Sequence, residues 1–393
     1  MNDPSTPSPR QFHLDWLRIA AFGLLVPYHV GMYYVSWGWH IKSPQLHPAL
    51  EPVMLLSSPW RMDLLFVVSG AATALMLRGG GTPSPAWLRR RGARLLLPLL
   101  VGMVLVVPPQ SWLEVRERFG YAGGFLDFLP LYLRGGDGRF CDAAHGCLVL
   151  PTWNHLWYLP YLATYTLLLW ALLRRVPGLL PALARRTAQV LGGTRLLWLP
   201  LVLLLASRLL LARRFPATHA LVDDGFMHLQ YLAMFAFGAA LAQADALAAS
   251  AQQRRWVALS MALAGWAGLQ VLDGPSWQRA TAFCLLQWGA LVAAIGFAHR
   301  HWHVDHRWRA TLAEAVFPLY LLHQTAIILL AWTLRPANLP IGIEAPLLIA
   351  GTFALGGVFY RLARRSGPLR IAFGLKPEAP ARAARRTAAI RRA

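Results

Sequence analysis

The chain has 393 residues, 56% of them hydrophobic and only 14% charged, with a mean hydropathy of +0.41. An average soluble domain is about a quarter charged, so this composition excludes a soluble globular protein and points to an all-α, polytopic integral membrane protein. A net charge of +21 would suit a nucleic-acid binder, but the excess sits in short segments between apolar runs and in an Arg/Ala tail, which fits anionic lipid headgroups instead.

Residues 1–12 read as a Pro/Ser-rich cytoplasmic leader, and the apolar run that follows is too long and too polar in its middle for a cleaved signal peptide. Windows of about 20 apolar residues predict about ten transmembrane helices, at 14–36, 57–77, 93–110, 153–173, 196–212, 227–245, 256–272, 280–298, 312–333 and 342–362. They form a membrane domain over 13–365 with a long outer loop at 111–152, followed by a basic cytoplasmic tail, 366–393. With both termini cytoplasmic, 26 of the 38 Lys and Arg residues fall on the inner side, nine outside and three within spans. That is the bias expected of cytoplasmic loops.

The first span, FHLDWLRIAAFGLLVPYHVGMYYVSWGW, carries Asp15, Arg18 and His29. Titratable groups inside a span are costly and mark a site by default. Arg18 and His29 are eleven residues apart, close to three helical turns, so the spacing puts them on one face about 16 Å apart, with Asp15 beside Arg18.

The outer loop 37–56 is rich in Trp, His and Pro, as interfacial turns are. Arg61 and Asp63 open the second span near its outer end, where snorkelling to water would satisfy them; Ser69 and Gly70 read as helix-packing residues. In WLRRRGARLLLP, 87–98, Arg89, Arg90, Arg91 and Arg94 read either as ordinary inner-side charge or as guanidinium forks for a phosphate-rich ligand. A glycine-rich phosphate loop is missing from the sequence, so a kinase or ATPase has no support.

The loop 111–152 contains RGGDGRF and two cysteines, Cys141 and Cys147, which an outer compartment would allow to pair or stay free. It leads to PTWNHLWYLPYL, where His155 and Trp157 suit either an aromatic belt or carbohydrate stacking. His228, Tyr231, Asp223 and Asp224 at the sixth span are non-specific. His299, His301, His303 and His306 cluster in an inner loop that reads as a solvated turn, and no metal site is expected. His323, followed by Gln324, lies near mid-membrane in the ninth span, where interhelical hydrogen bonding is the ordinary role.

Four motifs in order, HLDWLRIAAFGLLVPYHVGMYYVSWGWHIKS, WRMDLLFVVSG, NHLWYL and PLYLLHQ, together with Arg-Gly-Ala-Arg at 91–94, resemble the membrane acyltransferases called acyltransferase family 3. The resemblance runs from about residue 10 to about residue 376. It implies a multi-pass protein of the bacterial inner membrane that takes an acyl group, succinyl above all, from cytoplasmic acyl-CoA (succinyl-CoA or acetyl-CoA) to hydroxyls of a periplasmic glucan or other envelope glycan. Arg18 and His29 match the family's essential pair, and Arg91 and Arg94 its cytoplasmic Arg motif.

The expected site follows from this. Arg90, Arg91 and Arg94 hold the nucleotide phosphates, while Arg18 pairs with Asp15. His29, about 22 Å into a core of about 30 Å, serves as general base or as an acyl carrier. Arg61, Asp63, His155, Trp157 and His323 are the candidate substrate contacts. No permanently bound cofactor and no nucleic acid is expected. The alternatives are an O-acetyltransferase of O-antigen or exopolysaccharide, and a transporter or flippase. Against the last stands the lack of an internal repeat and of matched broken helices.

Overall fold

The computed structural model describes residues 11–77, 82–135, 139–142 and 146–377. Most of the leader, Arg78, the middle of RGGDGRF and the tail after residue 377, with Arg382 to Ala393, lie outside the described residues. In chain order the α-helices are α1 (Phe12–Gly23), α2 (Leu25–Tyr34), α3 (Glu51–Leu55), α4 (Arg61–Met76), α5 (Pro85–Val101), α6 (Pro108–Phe119), α7 (Phe125–Arg134) and α8 (Tyr158–Arg175). They continue with α9 (Leu179–Val190), α10 (Arg195–Leu211), α11 (Gly225–Gln243), α12 (Asp245–Val271), α13 (Ser276–His301), α14 (Arg309–Leu334), α15 (Ile341–Ala363) and α16 (Gly367–Ala372).

Among the described residues five helices are long and apolar enough to cross a membrane: Asn154–Arg175, Gly225–Gln243, Ser276–His301, Arg309–Ala337 and Ile341–Ala363. Two bent pairs, Pro85–Val106 with Pro108–Phe119 (46°) and Leu179–Val190 with Arg195–Leu211 (101°), raise the number to seven. The windows at 14–36, 57–77 and 256–272 also fall on helices but do not meet that measure. The first is divided at Leu24, the second lies on the 16-residue α4, and the third, on α12, is diluted by Arg254, Arg255 and Gln270.

Two of these interruptions have a proline cause. Pro27 has no N–H to return to Gly23 four residues back, and the first span is interrupted just there, between α1 and α2. Pro108 likewise follows a π-helical turn, Gly102–Val106, in which Val107 N donates to Gly102 O at 2.9 Å. The displaced carbonyls are not left bare. Tyr132 Oη donates to Met103 O at 2.9 Å and Thr325 Oγ1 to Val106 O at 2.8 Å.

The chain forms two compact units. The first comprises residues 1–28, 49–84 and 164–313; the second comprises 29–48, 85–163 and 314–393. In the first unit α4 packs on α11, α12 runs along α13, and α1 touches both α4 and α13. The α4–α11 seam depends on glycine: a Cβ at Gly70 would sit 1.9 Å from Phe235 O, and one at Gly238 the same distance from Val67 O. Small residues that let backbones meet are how membrane helices associate without a hydrophobic drive between them. In the second unit α6 packs on α7 and α16 on α5. There Cys141 and Cys147 are joined by a disulfide across a two-residue antiparallel ladder.

Candidate active site

The second unit gathers His29, His40, His155 and His323 into one polar network. His323 lies 1% exposed and His155 7% exposed, and backbone carbonyls of α14 anchor both rings. His323 Nδ1 meets Tyr320 O at 2.6 Å, and His155 Nε2 meets Leu321 O at 3.0 Å. A carbonyl oxygen only accepts, so in the neutral rings these are the protonated nitrogens and the opposite ones carry the lone pairs.

That assignment propagates. His323 Nε2 lies 3.3 Å from His29 Nδ1, and as an acceptor it takes the Nδ1 proton of His29. The basic lone pair of His29 then sits on Nε2. On the other branch His155 Nδ1 accepts from Gln110 Nε2 at 3.4 Å, whose second N–H goes to Thr325 Oγ1. Gln110 Oε1 accepts from Gln324 Nε2 at 3.0 Å and from Asn154 Nδ2 at 3.3 Å. The remaining N–H of Gln324 faces His40 Nε2 at 2.7 Å, so His40 Nδ1 donates to Glu114 Oε2 at 2.5 Å. Arg118 closes the string on Glu114 Oε1 at 2.9 Å. Every donor in it finds one acceptor, as a buried polar network requires. The two branches meet where the His155 and His323 rings pack edge-on, centroids 5.0 Å apart.

The first unit holds Arg18 and Asp15. Arg18 Nη2 donates to Ala313 O at 3.0 Å, while the Asp15 carboxylate stands 3.9 Å away. The close partner of Asp15 is Arg309, at 2.5 Å, which also binds Asp305 at 2.8 Å and is itself nearly buried. Arg61 and Asp63 are in this unit as well. Asp63 is fully buried between Gln230 Nε2 (2.9 Å) and Gln287 Nε2 (2.7 Å) rather than snorkelling to water.

On α5, in the second unit, Arg91 and Arg94 share a face three residues apart and have buried Nε atoms, whereas Arg90 is exposed. Trp157 packs edge-on to Tyr161 at 5.3 Å. Among the described residues no group of three or more His, Cys, Asp or Glu side chains is arranged to hold a metal.

Of the residues expected from sequence, His29, His155 and His323 are thus brought together, and Asp15 with Arg18 form a second group. Sequence reasoning passed over Gln110, His40, Glu114, Arg118 and Arg309. Gln110 follows the Pro-Pro step that ends a span, and Gln324 adjoins His323; a buried amide beside a helix break was the available signal. Nothing in the sequence marked Glu114 or Arg309 apart from other loop charges.

Comparison with known proteins places the chain in a family. The chain is 31% identical over 117 residues to the glucans biosynthesis protein C of Salmonella paratyphi B and to that of Salmonella heidelberg. Those matches cover 29% of this chain and only 30% of each relative. No solved structure matches. The family signature is far longer, an acyltransferase domain matched from residue 12 to residue 361, and includes all four histidines of the network, the Arg18 group and α5. The chain therefore belongs to acyltransferase family 3 and is a membrane acyltransferase.

Proposed function

We propose that this protein moves an acyl group, succinyl in the best-supported reading, from cytoplasmic acyl-CoA to hydroxyls of a periplasmic glucan. It would do so from the bacterial inner membrane, crossed ten times with both chain ends in the cytoplasm, as the distribution of Lys and Arg suggests. The observation that carries the chemistry is the 3.3 Å contact of His29 Nδ1 with His323 Nε2, from which the lone pair of His29 is assigned to Nε2 once His323 Nδ1 donates to Tyr320 O.

In this mechanism His29 Nε2 takes the proton of the acceptor hydroxyl as its oxygen attacks the thioester carbonyl. The tetrahedral centre then collapses, the C–S bond breaks, and the proton passes from His29 to the departing thiolate of CoA. His323 holds the ring in the productive tautomer and accepts the Nδ1 hydrogen bond, which strengthens as imidazolium forms. Arg91 and Arg94 bind the nucleotide phosphates as guanidinium forks. Arg18, the other member of the first-span pair, donates to Ala313 O at 3.0 Å and lies 3.9 Å from Asp15, whose closer partner is Arg309. The glucan as acceptor follows from what the Salmonella relatives are called, and succinyl as the acyl group from the family resemblance of the sequence motifs.

The test is the mass of the envelope glucan when this chain is expressed in a strain lacking its own enzyme. Succinyl transfer adds about 100 Da per site and acetyl transfer about 42 Da, from the formula masses of the covalent groups. A glucan of unchanged mass, with donor and chain both present, overturns the proposal.

A further inference from the structure

The helices that carry His29 and His323 both end at a cleft that the mechanism does not use. Tyr34, the last residue of α2, stands five residues after His29, about 7.5 Å further along the helix axis. Arg335 follows directly on α14. Where these ends meet, within the second unit, an open cleft of about 290 Å³ has Gln45, His47, Asn338 and Glu344 in its wall together with Tyr34 and Arg335.

The cation of this cleft is already neutralised, because Arg335 Nη1 binds Glu117 Oε2 at 2.7 Å. Glu344, nearly buried, accepts from Tyr34 Oη at 2.7 Å through Oε2, which leaves Oε1 to accept from elsewhere. The exposed amides of Gln45 and Asn338 meet at 3.4 Å, Nε2 to Oδ1. That bond leaves the pair with one amide oxygen and several N–H groups, and turning both amides over leaves the same kinds of group. The His47 ring, half-buried with its centroid 6.2 Å from that of Tyr34, makes no hydrogen bond among the described residues, so it adds one donor and one acceptor in its neutral form.

An anion is held by donors alone and a cation by acceptors alone. A concave wall that offers both, with its arginine paired, suits a ligand whose groups each give and take a hydrogen bond, as hydroxyls do. The Glu344 carboxylate opposes a phosphate at the same place. We propose that this cleft is a carbohydrate subsite, which holds a sugar unit of the acceptor glycan other than the one that is acylated. This rests on the glycan-acceptor reading above and adds the residues that would hold the chain. Contacts away from the reacting atoms bind the ground state and the transition state alike, so they lower KM for the glycan and leave kcat nearly as it was.

Purified full-length protein in nanodiscs is titrated with unacylated glucan from a strain lacking its own transferase, and with glycerol 3-phosphate as the mimic of a lipid headgroup, while its melting temperature is followed. Steady-state acyl transfer to the glucan is then measured for wild type, for Glu344→Gln, and for Gln45→Ala combined with Asn338→Gly. Glycine removes the amide and keeps the left-handed backbone that Asn338 adopts, with φ 44°. The expected result is a saturable rise with glucan that is at least fivefold weaker in both variants, with KM for glucan at least fivefold higher, KM for the acyl donor unmoved and kcat within about twofold. No saturable response to glucan in the wild type, or unchanged glucan affinity in folded variants, overturns the proposal. A stronger response to glycerol 3-phosphate than to glucan overturns it in favour of a headgroup site. Acyl transfer to glucan with wild-type KM in both variants removes the subsite and keeps the proposed function. Glucan binding that the variants weaken, without any acylation of the glucan, keeps the subsite and removes the glucan-acylation reading instead.

Discussion

The Arg18 group and the His29 group satisfy their buried polar atoms in opposite ways. Around Arg18 the protein pairs full charges, Asp15 with Arg309, Arg309 with Asp305 and, at 3.9 Å, Arg18 with Asp15, while Arg18 also donates to a backbone carbonyl. Around His29 it uses neutral rings and amides, with charge admitted only at the far end, where Arg118 and Glu114 meet. A salt-bridge cluster fixes position and tolerates rearrangement, because Coulomb attraction is weakly directional. A string of neutral donors and acceptors fixes direction as well, since each tautomer dictates the next. The second arrangement is what the proposed base needs.

The largest expected effect separates the two groups most sharply. His29→Ala should lower acyl transfer by roughly 10²–10⁴-fold, the usual worth of a positioned general base, with expression and melting temperature kept. A purified variant with wild-type turnover would remove His29 from the chemistry. His323→Leu should come next: it frees His29 to adopt either tautomer, and a loss of roughly 10–100-fold, like that for other groups that orient a reactive imidazole, is expected in kcat with KM little changed. His323→Gln, which can still accept from His29 Nδ1, should recover part of it. Equal kcat in the Leu variant would mean that the histidine pair is packing only.

Breaking the charged group should instead cost stability. Arg309→Met leaves Asp15 and Asp305 without their shared partner, and because both carboxylates are partly solvated the loss should be about 1–3 kcal/mol. A melting curve shows it, and turnover at low temperature should fall less than in either histidine variant. The smallest effect is expected for Glu114→Gln at the far end of the string. The amide can still accept from His40 through its oxygen, so activity should stay within about tenfold if Glu114 acts only by orienting the ring.

Much of the frame was legible in the chain. Apolar windows located the helices, since each of them falls on helix, and Gly70 was readable as a packing residue because only small side chains let α4 and α11 touch. His29 and His323 were visible because an imidazole inside an apolar run stands out. What pairs with what was not visible, because the contacts are 294 residues apart in sequence for His29 with His323 and for Asp15 with Arg309. Asp15 was expected to pair with Arg18 on helical spacing alone, and the structure gives its close contact to Arg309 because a second guanidinium arrives from α14. Asp63 was expected near water because it stands near the outer end of its span. Nothing local announces that Gln230 and Gln287 will enclose it.

The account depends most on which nitrogen of His29 carries the lone pair. Methylating Nε2 of His29, through a genetically encoded methylhistidine, blocks the base at that atom and moves the ring's lone pair to Nδ1, where it faces His323. Acyl transfer from succinyl-CoA to glucan, read by mass, should then fall to the level of His29→Ala. Transfer at more than about a tenth of the wild-type rate would contradict the assignment.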